Sequence, residues 1–88
     1  MAQIKLFGNL RQYVVEPQFE TSASNVRQLL LTLCAGNAAL CEALFEGEKL
    51  RPFIKITVNG RDIQLGSGLD TAVTNEDTIA IFPPIAGG

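Results

Sequence analysis

Eighty-eight residues, 47% apolar and 18% charged, suffice for one globular domain near the lower end of what a single core can stabilise. The net charge of -2, with seven Lys and Arg dispersed singly, argues against a nucleic-acid partner, whose phosphates need a clustered basic face. With no histidine in the chain, Cys–His and Ser–His catalytic pairs are excluded, and no apolar run approaches the ~20 residues of a membrane span.

The opening "AQIKLFG" alternates Ile4 and Leu6 against Lys5 and Phe7, the period-two pattern of a half-buried strand. Gly8 and Asn9 break it, Leu10 and Tyr13 are expected to cover one end of the core, and Gln18–Thr21 follows Pro17 as a hairpin partner. "SNVRQLLLTLCAGN" predicts a helix. Asn25 can accept from the free N–H groups of its first turn, and Gln28 three residues on completes a capping-box-like pattern. Val26, Leu29, Leu30, Leu33 and Cys34 fall on one face. Gly36 is expected to end the helix in the left-handed conformation, and Asn37 to cap a second, shorter helix with Leu40, Leu44 and Phe45 on its apolar side.

Cys34 and Cys41 stand among Leu and Ala, and their spacing of seven matches no zinc pattern. They are expected to pack as small apolar residues, and no metal site is expected. "EGEKLRP" reads as a solvated connection. In "FIKITVNGRDIQL", Ile54, Ile56 and Val58 alternate with Lys55 and Thr57, and Asn59-Gly60 supplies the two positive-φ positions of a type I′ hairpin turn. Residues 61–65 are then the returning strand. "GSGLD" reads as a flexible turn and Asn75-Glu76-Asp77 as a polar one. "TIAIF" is the last strand, with Ile79 and Ile81 inward and Ala80 and Phe82 outward, and Pro83 ends its pairing because it has no N–H to donate.

The predicted order is strand, strand, helix, short helix, strand, strand, strand. It is the order of an α+β, ubiquitin-like β-grasp roll: a mixed sheet, one main helix packed on it, and a short second helix. The first and last strands would lie parallel at the centre, joined by a right-handed crossover. The expected division is a domain over 1–82 and a flexible C-terminal tail over 83–88 ending in Gly-Gly. The sheet face away from the helix, carrying Phe7, Phe82, Ala80, Thr57 and Lys55, is left uncovered, and Phe7 and Phe82 are aromatics of the kind enriched at interfaces.

The tail "PPIAGG" can span roughly 20 Å at about 3.3 Å per residue. Pro83 and Pro84 bias its exit toward an extended path, and Ile85 offers one apolar grip. Ala86, Gly87 and Gly88 present little or no side chain, so a narrow channel could admit the backbone as far as the terminal carboxylate. The shape suits delivery of a C-terminus into another protein's active site.

These features carry a resemblance. "IKLFGNL", "NVRQLL", "ITVNGRDI", "GLDT" and above all "IFPPIAGG" are similar to the MoaD/ThiS family of ubiquitin-like sulfur carriers, over essentially the whole chain. The resemblance implies that the Gly88 carboxylate is the reactive group, adenylated by a ubiquitin-activating-type enzyme at the expense of ATP and converted to a thiocarboxylate. It implies a carrier with no bound cofactor and no catalytic side chain of its own. The ending is most similar to the small subunit of molybdopterin synthase, whose tail enters a catalytic large subunit and donates sulfur to the pterin precursor of the molybdenum cofactor.

The middle of the chain also resembles carriers used for cysteine synthesis and small archaeal-type protein modifiers; thiazole carriers rank last. Molybdopterin synthesis is the leading expectation. The alternatives are another sulfur acceptor, a modifier joined to lysines such as Lys5, Lys49 or Lys55, and a docking module without chemistry at Gly88. Lacking a basic segment followed by an apolar signal core, the chain is expected in the cytoplasm, with neither membrane nor nucleic acid as partner.

Overall fold

The computed structural model describes residues 1–16 and 18–83; Pro17 and residues 84–88 lie outside the described residues. Five strands form one sheet. They are β1 (Ala2–Leu6), β2 (Gln18–Thr21), β5 (Lys55–Val58), β6 (Arg61–Asp62) and β7 (Thr78–Phe82), in the order β2-β1-β7-β5-β6. β1 and β7 pair in parallel at the centre, with Ile4 beside Ile79 and Leu6 beside Ile81, and the other pairs are antiparallel. This is the mixed β-grasp sheet that the element order predicts.

Helix α1 (Val26–Gly36) begins as its sequence requires: the Asn25 side chain accepts the Gln28 N–H at 2.8 Å. Gln28 reaches back one residue further than the capping-box pattern predicts, accepting the Ser24 N–H at 2.9 Å. Val26, Leu29, Leu30 and Leu33 are buried against Ile4, Leu6, Ile56, Ile79 and Ile81 of the sheet's inner face. A strand period of two and a helical stripe thus meet in one core, and fully burying each such aliphatic side chain is worth about 1.5–3 kcal/mol. Leu10, in the 3-10 turn Gly8–Tyr13, closes one end of it, as expected.

Several local expectations are corrected. Gly36 is the last residue of α1 and has no positive φ; Asn37 follows in an extended conformation and caps α2 (Ala38–Leu44) by accepting the Leu40 N–H at 3.0 Å. A left-handed cap has no place where one residue ends one helix and opens the next. The "EGEKLRP" stretch contains a two-stranded hairpin, β3 (Phe45–Glu46) and β4 (Lys49–Leu50), turning at Gly47 with φ +66°. Asn59 (φ 53°) and Gly60 (φ 84°) make the expected turn. Only Arg61 and Asp62 pair after it, because the Asp62 side chain accepts the Gln64 N–H at 2.9 Å and starts a 3-10 turn over Ile63–Leu65.

The "GSGLD" segment is more firmly held than a flexible turn. Gly68–Asp70 is a 3-10 turn, Arg27 pairs with Asp70 at 3.1 Å, and the Val26 and Val73 N–H groups bond to Thr71 and Ser24 carbonyls across the start of α1. The cysteines, expected as free packing residues, are instead joined: Cys34 in the last turn of α1 is disulfide-bonded to Cys41 in α2, with Cα atoms 4.5 Å apart. The helix–helix corner at Asn37, not the spacing along the chain, brings them together.

Candidate functional site: the root of the tail

β7 is the strand from which the tail leaves, and its central place in the sheet fixes that exit on both sides. Its Phe82 pairs with Lys55 of β5, and the Phe7 N–H, just past β1, donates to the Ile81 carbonyl at 3.1 Å. Pairing stops at Pro83, as the missing N–H predicts.

The two expected aromatics meet here. Phe7 and Phe82 stack, ring centroids 4.6 Å apart and planes 12° from parallel, with Phe7 still 38% exposed. Each ring shields part of the other, and together they present an apolar surface next to Pro83. Lys55, in register with Phe82, is exposed and lies 3.7 Å from the Asp62 carboxylate, a separation at which an exposed pair contributes about 0–1 kcal/mol. Ala80 is half-buried between Lys5 and Thr57 in the neighbouring strands. Thr57, expected on the uncovered face, is only 8% exposed, since Ala80 and Asp62 flank it in register. Phe7, Phe82, Lys55 and Ala80 therefore form one patch at the tail's root. Pro84, Ile85, Ala86, Gly87 and Gly88, the rest of the expected site, lie outside the described residues.

Two contributors escaped the sequence reading. Gly8, taken there only as a strand breaker, has φ +60°, and a Cβ built on it would stand 2.6 Å from Cγ of Pro83. The turn after β1 thus lies directly against the first residue of the tail, and only glycine fits. Its neighbour Asn9 hinted at a turn, but no local pattern reveals contact with a residue 75 positions away (83 − 8). Phe53, 72% exposed just before β5, is the other. Because β5 runs antiparallel to β7, this ring belongs to the same end of the sheet as Phe82. Its signal, an aromatic next to Pro52, was hidden at the edge of an apolar run.

Among the described residues no cluster of His, Cys, Asp or Glu is arranged to hold a metal ion, and no helix is long and apolar enough to cross a membrane.

Comparison with known proteins places this geometry. Residues 4–88 match the ThiS family. A protein of Archaeoglobus fulgidus assigned as a sulfur carrier is 34% identical over 86 residues, covering 98% of this chain and 97% of that one. The solution structure of small archaeal modifier protein 1 from Methanosarcina acetivorans is 34% identical with a TM-score of 0.90, covering 99% of this chain and 95% of that one. A chain from the crystal structure of the Amycolatopsis orientalis BexX/CysO complex is 28% identical with a TM-score of 0.88, each covering the other completely at 100%. A β-grasp sheet whose central strand leads into the tail, matched from residue 4 to residue 88, makes this chain a member of the ThiS/MoaD family of ubiquitin-like sulfur carriers.

Proposed function

We propose that the chain carries sulfur as a thiocarboxylate at Gly88 and delivers it to the pterin precursor of the molybdenum cofactor. The observation that carries the first half of this reading is the root geometry: a central strand ends at Pro83, beside an exposed aromatic patch, and hands over to six residues ending in Gly-Gly. A carboxylate is a poor electrophile. A ubiquitin-activating-type enzyme joins it to the α-phosphate of ATP, releasing pyrophosphate, and the acyl adenylate then has AMP as a good leaving group. Hydrosulfide supplied by the activating system attacks the carbonyl carbon, the C–O bond to AMP breaks, AMP leaves, and the loss of the sulfur's proton leaves a thiocarboxylate on Gly88.

The chain's own part is recognition and delivery. Phe7, Phe82, Lys55 and Ala80 dock the partner, first the adenylating enzyme and then the large catalytic subunit of molybdopterin synthase. Pro83 and Pro84 stiffen the approach, Ile85 grips, and Ala86 and Gly87 keep the last step narrow. ATP is consumed by the partner and no cofactor resides on the carrier. The ending "FPPIAGG" favours the pterin acceptor.

A second acceptor reading rests on the likeness to a chain named for CysO, which favours an acceptor enzyme that makes a sulfur-containing metabolite such as cysteine. Likeness to a named modifier favours a third, isopeptide bonds from Gly88 to lysines. Deleting Gly88 tests the common core of all three. The truncated protein should fold as the intact one does and deliver no sulfur; unimpaired delivery sinks the proposal. Supplying the thiocarboxylated protein to extracts and following labelled sulfur into pterin, cysteine or protein conjugates then separates the acceptors.

A further inference from the structure

We infer that Cys34 and Cys41 form a reversible dithiol–disulfide site, and that the element it controls is helix α2. The bond spans the one-residue corner at Asn37 and joins two helices that already touch. Both cysteines are only partly buried, so a reductant can reach the sulfurs. Neither belongs to the buried core on which the sheet and α1 depend.

Breaking the bond leaves α2 with other holds, and these bound what can change. Leu40 and Leu44 stay in the core, the Arg51 N–H donates to the Leu44 carbonyl at 2.8 Å, and Asn37 donates from Nδ2 to the Tyr13 carbonyl at 2.6 Å. The domain therefore survives reduction. A helix of seven residues, however, is far below the length at which helices persist alone, so without the covalent link α2 is held by these contacts only and opens more often than in the oxidised protein. Cysteines seven positions apart close a short loop, for which chain entropy makes the bond a modest constraint.

The partner chemistry is thiol–disulfide exchange with a dithiol. One thiolate of the reductant attacks a sulfur of the pair, the Cys34–Cys41 bond breaks, and the other cysteine leaves as a thiolate. The reductant's second thiol then attacks the mixed disulfide and frees the first cysteine. Two electrons pass from the dithiol, which becomes the disulfide, and its two protons end on Cys34 and Cys41. A reducing compartment holds the site open and an oxidising one closes it.

The experiment uses the full chain equilibrated in glutathione buffers of graded redox poise, read by intact mass and by backbone hydrogen exchange. Oxidised protein should be lighter by two hydrogens, with Cys34 and Cys41 in one linked peptide. On reduction the amides of Leu40–Leu44 should exchange about tenfold faster or more, while those of β1 and β7 stay unchanged. The double variant Cys34→Ser/Cys41→Ser should behave as the reduced protein in every buffer. Absence of the linked peptide under oxidising buffer, or equal exchange of α2 in both states, overturns the inference. Loss of protection throughout the sheet on reduction overturns it too, since the bond would then hold the whole fold.

Discussion

Replacing Gly8 with alanine tests whether the turn after β1 sets the position of the tail's first residue. Two costs follow from the geometry. At φ +60° an L-side chain is strained by about 1–2 kcal/mol. The new Cβ would also stand 2.6 Å from Cγ and 3.2 Å from Cδ of Pro83, where ordinary contact begins near 3.4 Å, so Pro83 must retreat by about 0.8 Å (3.4 − 2.6). Overpacking of this kind costs about 1–3 kcal/mol. Together Gly8→Ala should destabilise the domain by about 2–5 kcal/mol in urea unfolding.

The second perturbation separates the two costs. Pro83→Ala removes Cγ and Cδ and leaves only Cβ, which stands 4.0 Å from the new atom, so the double variant keeps the strain and loses the clash. Its stability should exceed the sum of the single effects by about 1–3 kcal/mol, a coupling within the range found for residues in contact. Gly8→Ala alone should also slow thiocarboxylate formation by re-aiming the tail, with activity returning in the double variant. Strict additivity, or a Gly8→Ala protein within about 0.5 kcal/mol of the parent, would show that Gly8 does not bear on Pro83 and refute the positioning claim.

Phe82→Asp places a charge in the stacked pair and should weaken binding of the adenylating enzyme by about 2 kcal/mol or more while the half-exposed site keeps the domain folded; calorimetric binding at unchanged affinity would remove the patch from the interface. Asp77 titrates below its ordinary 3.8, chiefly because it accepts the Thr74 N–H and secondarily because it accepts from the Asn59 side chain, each at 2.8 Å. The carboxylate's contribution is therefore complete above pH 3.8 and is lost as pH falls through the lower folded value. Asp77→Asn should flatten the acid limb of a stability–pH profile, and an unaltered limb would assign it to other carboxylates. Leu30→Ala, at a fully buried position of α1, should cost about 2–5 kcal/mol by thermal unfolding; a loss below 1 would mean that the helix is not the lid of this core.

Most of the fold is legible in the residues because its signals are local. The alternation in "IKLF" and "TIAIF", the Asn25 cap, the stripe through Leu29, Leu30 and Leu33, and Asn59-Gly60 each specify structure within a few residues. Whatever depended on the approach of distant segments was hidden. Cys34 and Cys41 meet only because Asn37 lets one helix follow another at a corner, Gly8 meets Pro83 only because β1 and β7 run parallel, and Thr57 is covered only by its cross-strand neighbours. The site divides the same way. Phe7 and Phe82 were readable as outward positions of two strands, but their stacking follows from register.

The central claim is that Gly88 bears the transferred sulfur, and an intact mass of the protein isolated from its own cells tests it most directly. The account predicts a fraction heavier by one oxygen-to-sulfur exchange, which fragmentation places at Gly88 and which is lost on alkaline hydrolysis. Protein whose Gly88 carboxylate is wholly unmodified while its activating enzyme and sulfur source are active would contradict it.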